Sequence, residues 1–162
     1  MPLIDRKRPK IGDVIEIETP RGYAYAQYTH KHVSPPCFGA LIRVLNGIWA
    51  TRPENFNELV GQGFQFVTFF PLGAACSRGI VKIVASEPIP SFSQSFPIFR
   101  NTHRDIRGNR AGDWFLWDGQ KEWRVSHLTN QQLKEYPPAG VINDTLLIER
   151  IVSGWRHESE QD

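Results

Sequence analysis

The stretch "GDVIEIETPRGYAYAQYTHKH", residues 12–32, decides the fold class. In "DVIEIE" (13–18), Val14 and Glu16 alternate with Ile15 and Ile17, the period of two that sends successive side chains to opposite faces of a strand. "YAYAQYT" (23–29) alternates large and small residues, and "TPRG" (19–22) between the two carries Pro20 and Gly22, the punctuation of a hairpin loop. Two antiparallel strands therefore open the chain. The expected fold is α+β: a curved antiparallel sheet or small barrel built from hairpins, with a few short helices.

Downstream, "LIRVLNGIWATR" (41–52) reads as a second hairpin, with Asn46-Gly47 as the positive-φ pair of a type I′ turn. "RPENFNELVGQG" (52–63) places Pro53 at a first helical position and Gly61 just past the end of one short helix. "FQFVTFF" (64–70) and "GIVKIVA" (79–85) are β-branched and aromatic, the composition of central strands, and "PLGAACSR" between them has room for one helical turn. Residues 86–113, with Pro88, Pro90 and Pro97, read as a long and mostly irregular connection.

"WFLWDGQKEWRV" (114–125) is a third hairpin around Asp118-Gly119. A two-residue loop sets Trp114 across from Trp123 and groups Leu116 and Val125 with them, leaving Phe115, Trp117, Glu122 and Arg124 on the other face. A three-residue loop puts Phe115 opposite Trp123 instead. Thr129 and Gln132 form a capping box for a short helix that Pro137-Pro138 stop. In "DTLLIERIVSGW" (144–155), Leu147, Ile148, Ile151, Val152 and Trp155 make one helical stripe, with Asn143 or Asp144 as cap.

The 162 residues fit one domain over 11–156, preceded by a flexible basic arm (1–10) and followed by a polar tail (157–162). A chain of this length buries about 70% of its unfolded surface, so no disulfide or metal is required to hold it. Nineteen basic and 17 acidic residues leave a net charge of +2, too balanced for the overall field to indicate a nucleic-acid or membrane partner. Cys37 and Cys76 lie far apart with no C-x-x-C spacing, as in the reduced thiols of a cytoplasmic protein. The basic N-terminus runs into charged "IGDVIEIE" where a signal peptide has an apolar run, and no stretch has the length of a membrane span.

The search for chemistry is short. His30 and His32, two apart on a strand, share a face, but the remaining histidines offer no third ligand by local spacing. "HRD" (103–105) lacks the asparagine five residues on and every other kinase element. No G-x-S-x-G, P-loop or H-E-x-x-H occurs. No catalytic residue, cofactor or metal is assigned. Arg100, Arg104, Arg107 and Arg110, strung along the long connection, have the chemistry to grip a partner's carboxylates or phosphates. Trp117 beside the hairpin turn, with Arg124 close by, is the expected rim anchor, since Trp and Arg dominate interface hot spots.

In their order, "KIGDVIEIETPRGYAYAQYTHKH" (10–32), "LIRVLNG" (41–47), "FFPLGAA" (69–75), "WFLWDGQKEWRV" and "NDTLLIERI" (143–151) resemble the immunity protein 26 family of bacterial polymorphic toxin systems, over about residues 10–155. The resemblance implies a cytoplasmic, non-enzymatic α+β protein, encoded beside a secreted or contact-delivered toxin, that protects its host by binding and blocking that toxin. The near-neutral charge departs from the acidic character common among inhibitors of basic nuclease toxins. The expected partner is thus a cognate toxin protein, held through Arg100, Arg104, Arg107, Arg110, Trp117 and Arg124. The alternative expectation is a small nucleic-acid-binding barrel that stacks bases on Tyr23, Tyr25 and Tyr28 beside the basic arm.

Overall fold

The structure is a computed structural model and describes residues 4, 6–104, 107 and 110–160; the side chains of residues 103, 104, 110 and 111 lie outside the description. It is α+β, with eight strands in two antiparallel sheets and four short α-helices. The first sheet contains β1 (Asp13–Thr19), β2 (Gly22–His32), β3 (Gly39–Leu45), β4 (Phe64–Phe69) and β5 (Val81–Ser86), in the order β4-β3-β2-β1-β5. The second contains β6 (Phe99–Arg104), β7 (Arg110–Trp117) and β8 (Glu122–Val125), with β7 central. Neither sheet closes into a barrel. No helix among the described residues is long and apolar enough to cross a membrane.

The opening hairpin forms as its alternation requires, with Glu16 opposite Tyr25 and Ile17 opposite Ala24. Ile15, Ile17, Ala24, Ala26, Tyr28, Ile42, Val44 and Phe66 face α2 (Leu72–Ser77) and α4 (Asp144–Ser153), burying Cys76, Leu147 and Ile151 with them. Asn143 caps α4 through its side chain, and Gly154 closes it at φ +72°. Thr129 and Gln132 make the expected capping box of α3 (Asn130–Glu135).

The opposite face of the large sheet carries two apolar clusters. One joins Val14, Tyr25, Leu45 and Val84 to α1 (Phe56–Val60). The other joins Leu41, Val67 and Phe69 to Phe99 and Trp117 of the small sheet. Between them runs a polar seam of Gln27 and Arg43, at 2 and 4% exposure and paired across β2 and β3, while Glu16, at 6%, sits opposite Tyr25 at the edge of the first cluster.

Several expectations are corrected. Asn46-Gly47 does not turn a hairpin: Gly47 has φ +101°, but Asn46 is not at positive φ, so the two-residue requirement of a type I′ turn fails. The chain loops back instead, and Trp49 exchanges two backbone hydrogen bonds with Tyr23 (2.7 and 2.8 Å). Helix α1 begins at Phe56, not Pro53, because the Asn55 side chain accepts from the Glu58 N–H and sets the start. β4 and β5 are the two edges of the large sheet, not its centre. Their apolar composition reflects cover on both faces, and β4 is also closed along its outer side, where Val67 N–H donates to His157 Nε2 (3.0 Å) and Phe69 O accepts from Ile142 (3.1 Å). Residues 86–113 are irregular only in part, since β6 and the start of β7 lie within them. Within the arm, Ile4 packs on the α2/α4 core, and Arg6 donates to both oxygens of the fully buried Asp13 (2.6 and 2.5 Å). Residues 157–159 form a 3-10 turn in which His157 is buried.

Candidate protein-interaction surface

The hairpin of β7 and β8 pairs Trp114 with Val125, Phe115 with Arg124, Leu116 with Trp123 and Trp117 with Glu122. Its loop has four residues, 118–121: Asp118 Oδ1 accepts from the N–H groups of Gln120 (2.9 Å) and Lys121 (2.8 Å), an Asx turn. Relative to a two-residue loop this moves the pairing by two positions, which preserves the faces. Trp114, Leu116, Trp123 and Val125 therefore share one side, and Phe115, Trp117, Glu122 and Arg124 the other.

Trp117 is half-buried, packed against the cluster of Leu41, Val67, Phe69 and Phe99. Its indole stands edge-on to His32 (4.7 Å) and Phe38 (5.3 Å) and lies against Phe99 (5.6 Å) and Phe96 (5.9 Å). The hairpin tip is drawn inward with it, since Gly119 O accepts from His32 Nε2 (2.9 Å). A Cβ on Gly119, at φ +99°, would sit 2.8 Å from the Phe96 ring. The exposed indole is Trp123, at 38%.

Arg100 is not available to a partner either. It is 2% exposed and donates to the carbonyls of Leu133 (2.7 Å), Tyr136 (2.5 Å) and His157 (2.6 Å), tying β6 to α3 and the C-terminal turn. The outer side of β6 is closed as well, through Arg100 N–H to Pro137 O and Ala139 N–H to Arg100 O (both 2.9 Å). Arg104 and Arg110 face each other across the β6/β7 ladder, their side chains outside the described residues. Arg107 is exposed in the turn between them. Arg124 is exposed and pairs with Asp113 at 3.3 Å, a solvated contact of little energetic weight. Of the expected set, Arg100 is buried, Trp117 is half-buried, and Arg107 and Arg124 are exposed.

β8 is the open side of the small sheet. It bonds to β7, and no backbone hydrogen bond among the described residues reaches its outer side. An unpaired strand edge is a template for another chain, and this one displays a large aromatic side chain, Trp123, flanked by Glu122 and Arg124.

Glu16 and His157 are engaged within the fold. Glu16 accepts two bonds from Arg52 (2.7 and 2.9 Å) and one from the Tyr25 hydroxyl (2.8 Å). Burial alone would raise its pKa, but these donors outweigh it and hold the carboxyl below its ordinary value. His157 donates from Nδ1 to Lys134 O (2.9 Å) and accepts at Nε2 from Val67, which fixes the neutral Nδ1–H tautomer. Burial, with Arg100 and Arg43 nearby, pushes its pKa down to about 4. His30 and His32 do share a face, both against Phe96, and their Nε2 atoms lie against the carbonyls of Gln94 and Gly119. Among the described residues no cluster of three or more His, Cys, Asp or Glu is placed to hold a metal. Tyr23 and Tyr25 lie on one face of β2 and Tyr28 on the other, and Tyr25 is fully buried, so the three rings do not form one stacking platform.

Sequence reading missed the buried roles of Arg100, Arg43 and His157. Only the apolar neighbours of Arg43 in "LIRVL" hinted at burial. Comparison of the chain with protein-family models, with curated proteins and with solved structures gives no match.

Proposed function

We propose that this chain is a non-enzymatic immunity protein of the kind its sequence resembles, the immunity protein 26 family, which binds a cognate bacterial polymorphic toxin in the cytoplasm and neutralises it by occlusion. The ordered run of motifs from residue 10 to residue 155 supports the family. The observation that carries a binding role is the open β8 edge with its exposed Trp123. A partner strand laid along β8 gains main-chain hydrogen bonds, and an indole beside it anchors the contact. Arg124 and Arg107 supply charge at the periphery. The pocketed Trp117 serves this surface indirectly, by fixing the hairpin that presents it.

A specific complex of this kind buries about 1,600 Å² in total, about 800 Å² from each partner. The test is co-expression of the tagged protein with the product of the neighbouring open reading frame. Stoichiometric co-purification that survives gel filtration is the expected result. Separate elution of the two, with the toxic effect undiminished, contradicts the reading.

A further inference from the structure

A second surface lies away from β8 and shares none of its residues. Arg8, Tyr28, Lys31, Phe38, Phe70 and Leu72 contribute to a groove of about 310 Å³ between the N-terminal arm, β2, the start of β3 and α2. An apolar cavity of about 150 Å³ accepts benzene, so an aromatic side chain and its neighbours fit here. Its accessible apolar surface is carried by Phe38, Ala40, Pro71 and Ala74, over a base of Phe70 and Leu72, which are each 1% exposed and belong to the α2/α4 core.

Three polar side chains line this groove with no hydrogen bond from their head groups among the described residues. The Tyr28 side chain is only 6% exposed, yet its hydroxyl makes no hydrogen bond with any described residue. Burial, and secondarily the charge of Asp13, raise its pKa, so it remains a neutral donor. Neither the Lys31 ammonium nor the Arg8 guanidinium has a hydrogen bond or ion pair among the described residues, and the groove lining contains no carboxylate. The adjacent pair does not compensate them: Asp13 is committed to Arg6 and to the Lys10 N–H (2.7 Å). An apolar surface, two unmatched cations and an unused donor are complementary to one chemistry, an apolar side chain bracketed by carboxylates.

We propose that this groove binds an acidic segment of a partner protein, with an aromatic or aliphatic side chain against Phe38 and Ala40 and carboxylates at Arg8, Lys31 and the Tyr28 hydroxyl. The assignment does not require that partner to be a toxin. It stands or falls separately from the β8 edge.

The test is an NMR titration of the ¹⁵N-labelled full chain with a capped five-residue peptide carrying phenylalanine between two pairs of glutamates. Controls are the charge-reversed peptide, with lysines for glutamates, and sodium phosphate. Saturable shifts at the amides of residues 28–31, 38–40 and 72–74 are expected. The Arg8→Ala/Lys31→Ala double variant weakens the midpoint by about tenfold or more, the scale of losing interface anchors, while its other amides stay in place. Tyr28→Phe weakens it less and leaves the apolar contact. Equal binding of the lysine peptide, equal shifts from phosphate alone, or no saturation at the groove amides overturns the proposal.

Discussion

The two faces of the large sheet are built from the same strands and differ in kind. Under α2 and α4 the face is apolar, and Ile15, Ile17, Ala24, Ile42 and Val44 interlock with Leu147 and Ile151. On the other face, Gln27 and Arg43 lie between two apolar clusters, Glu16 flanks one of them, and all three are almost as deeply buried as the residues around them. Each of these polar side chains fixes a segment with little regular structure of its own. Glu16 holds Arg52 of the 46–55 loop, Gln27 donates to Glu87 O (2.9 Å), and Arg43 donates to Ser95 O (2.9 Å). With His30 on Gln94 O (2.8 Å), they strap residues 87–96 across the sheet. The first face supplies cohesion by burial, and the second positions the connection that leads into the small sheet.

Breaking the apolar face has the largest expected effect. Leu147, at 0% exposure, has no room to collapse around, and Leu147→Ala costs about 4 kcal/mol by urea unfolding. That cost is the same at pH 5 and pH 8. A pH-dependent cost would break the division between a dry face and a titratable one.

Arg100→Met is next, at about 3 kcal/mol, because three carbonyls lose a charged donor. The pH dependence of His157 is of similar size. Its folded pKa of about 4 lies below the ordinary 6.5, so between those values the unfolded chain takes a proton that the folded chain excludes. Its contribution is complete above about pH 6.5 and is lost as pH falls through the window, about 3 kcal/mol in all. Unfolding midpoints measured across pH 4–7 should show that decline, and His157→Gln should flatten it. An unchanged slope in the variant would assign the titration elsewhere.

Arg43 sharpens the contrast with Arg100. Burial pushes its pKa down to about 10, its buried Nε has no hydrogen-bond partner among the described residues, and its guanidinium lies over the Phe64 ring at 4.9 Å. A buried charge so thinly compensated is replaceable by an apolar residue of similar length, and Arg43→Met should change stability by no more than about 1 kcal/mol. A loss as large as that of Arg100→Met would show that the seam stabilises the fold as well as positioning the strap. Trp123→Ala should likewise change stability by only about 1 kcal/mol, because at 38% exposure the side chain is partly solvated.

Much of this was legible in the chain. The alternation in 13–18 and 23–29, the Thr129/Gln132 capping box and the α4 stripe all depend on residues close in sequence. The faces of the 114–125 hairpin stood open between two registers, and the four-residue loop gives the grouping of the two-residue one, because loops of two and four residues preserve parity. What stayed hidden depends on distant partners. Alternation in "DVIEIE" suggests that Glu16 faces water, but its environment comes from Arg52, 36 residues on. β6 has no alternation to detect, since Phe99 and Arg100 are both buried on opposite sides. The candidate site suffered in the same way: whether Trp117 or Trp123 meets solvent depends on how the hairpin tip docks against His32 and Phe96, contacts that no local pattern encodes.

The most direct test of the proposed role is growth rescue. Cells expressing the neighbouring open reading frame's product would carry either the wild-type protein or Trp123→Ala, each at matched, titrated levels. The account predicts full rescue by the wild type and a need for at least about tenfold more of the variant, the loss typical of an interface anchor. Rescue by Trp123→Ala at wild-type levels would contradict the β8 edge as the toxin-binding surface, and failure of the wild type itself would contradict the immunity function.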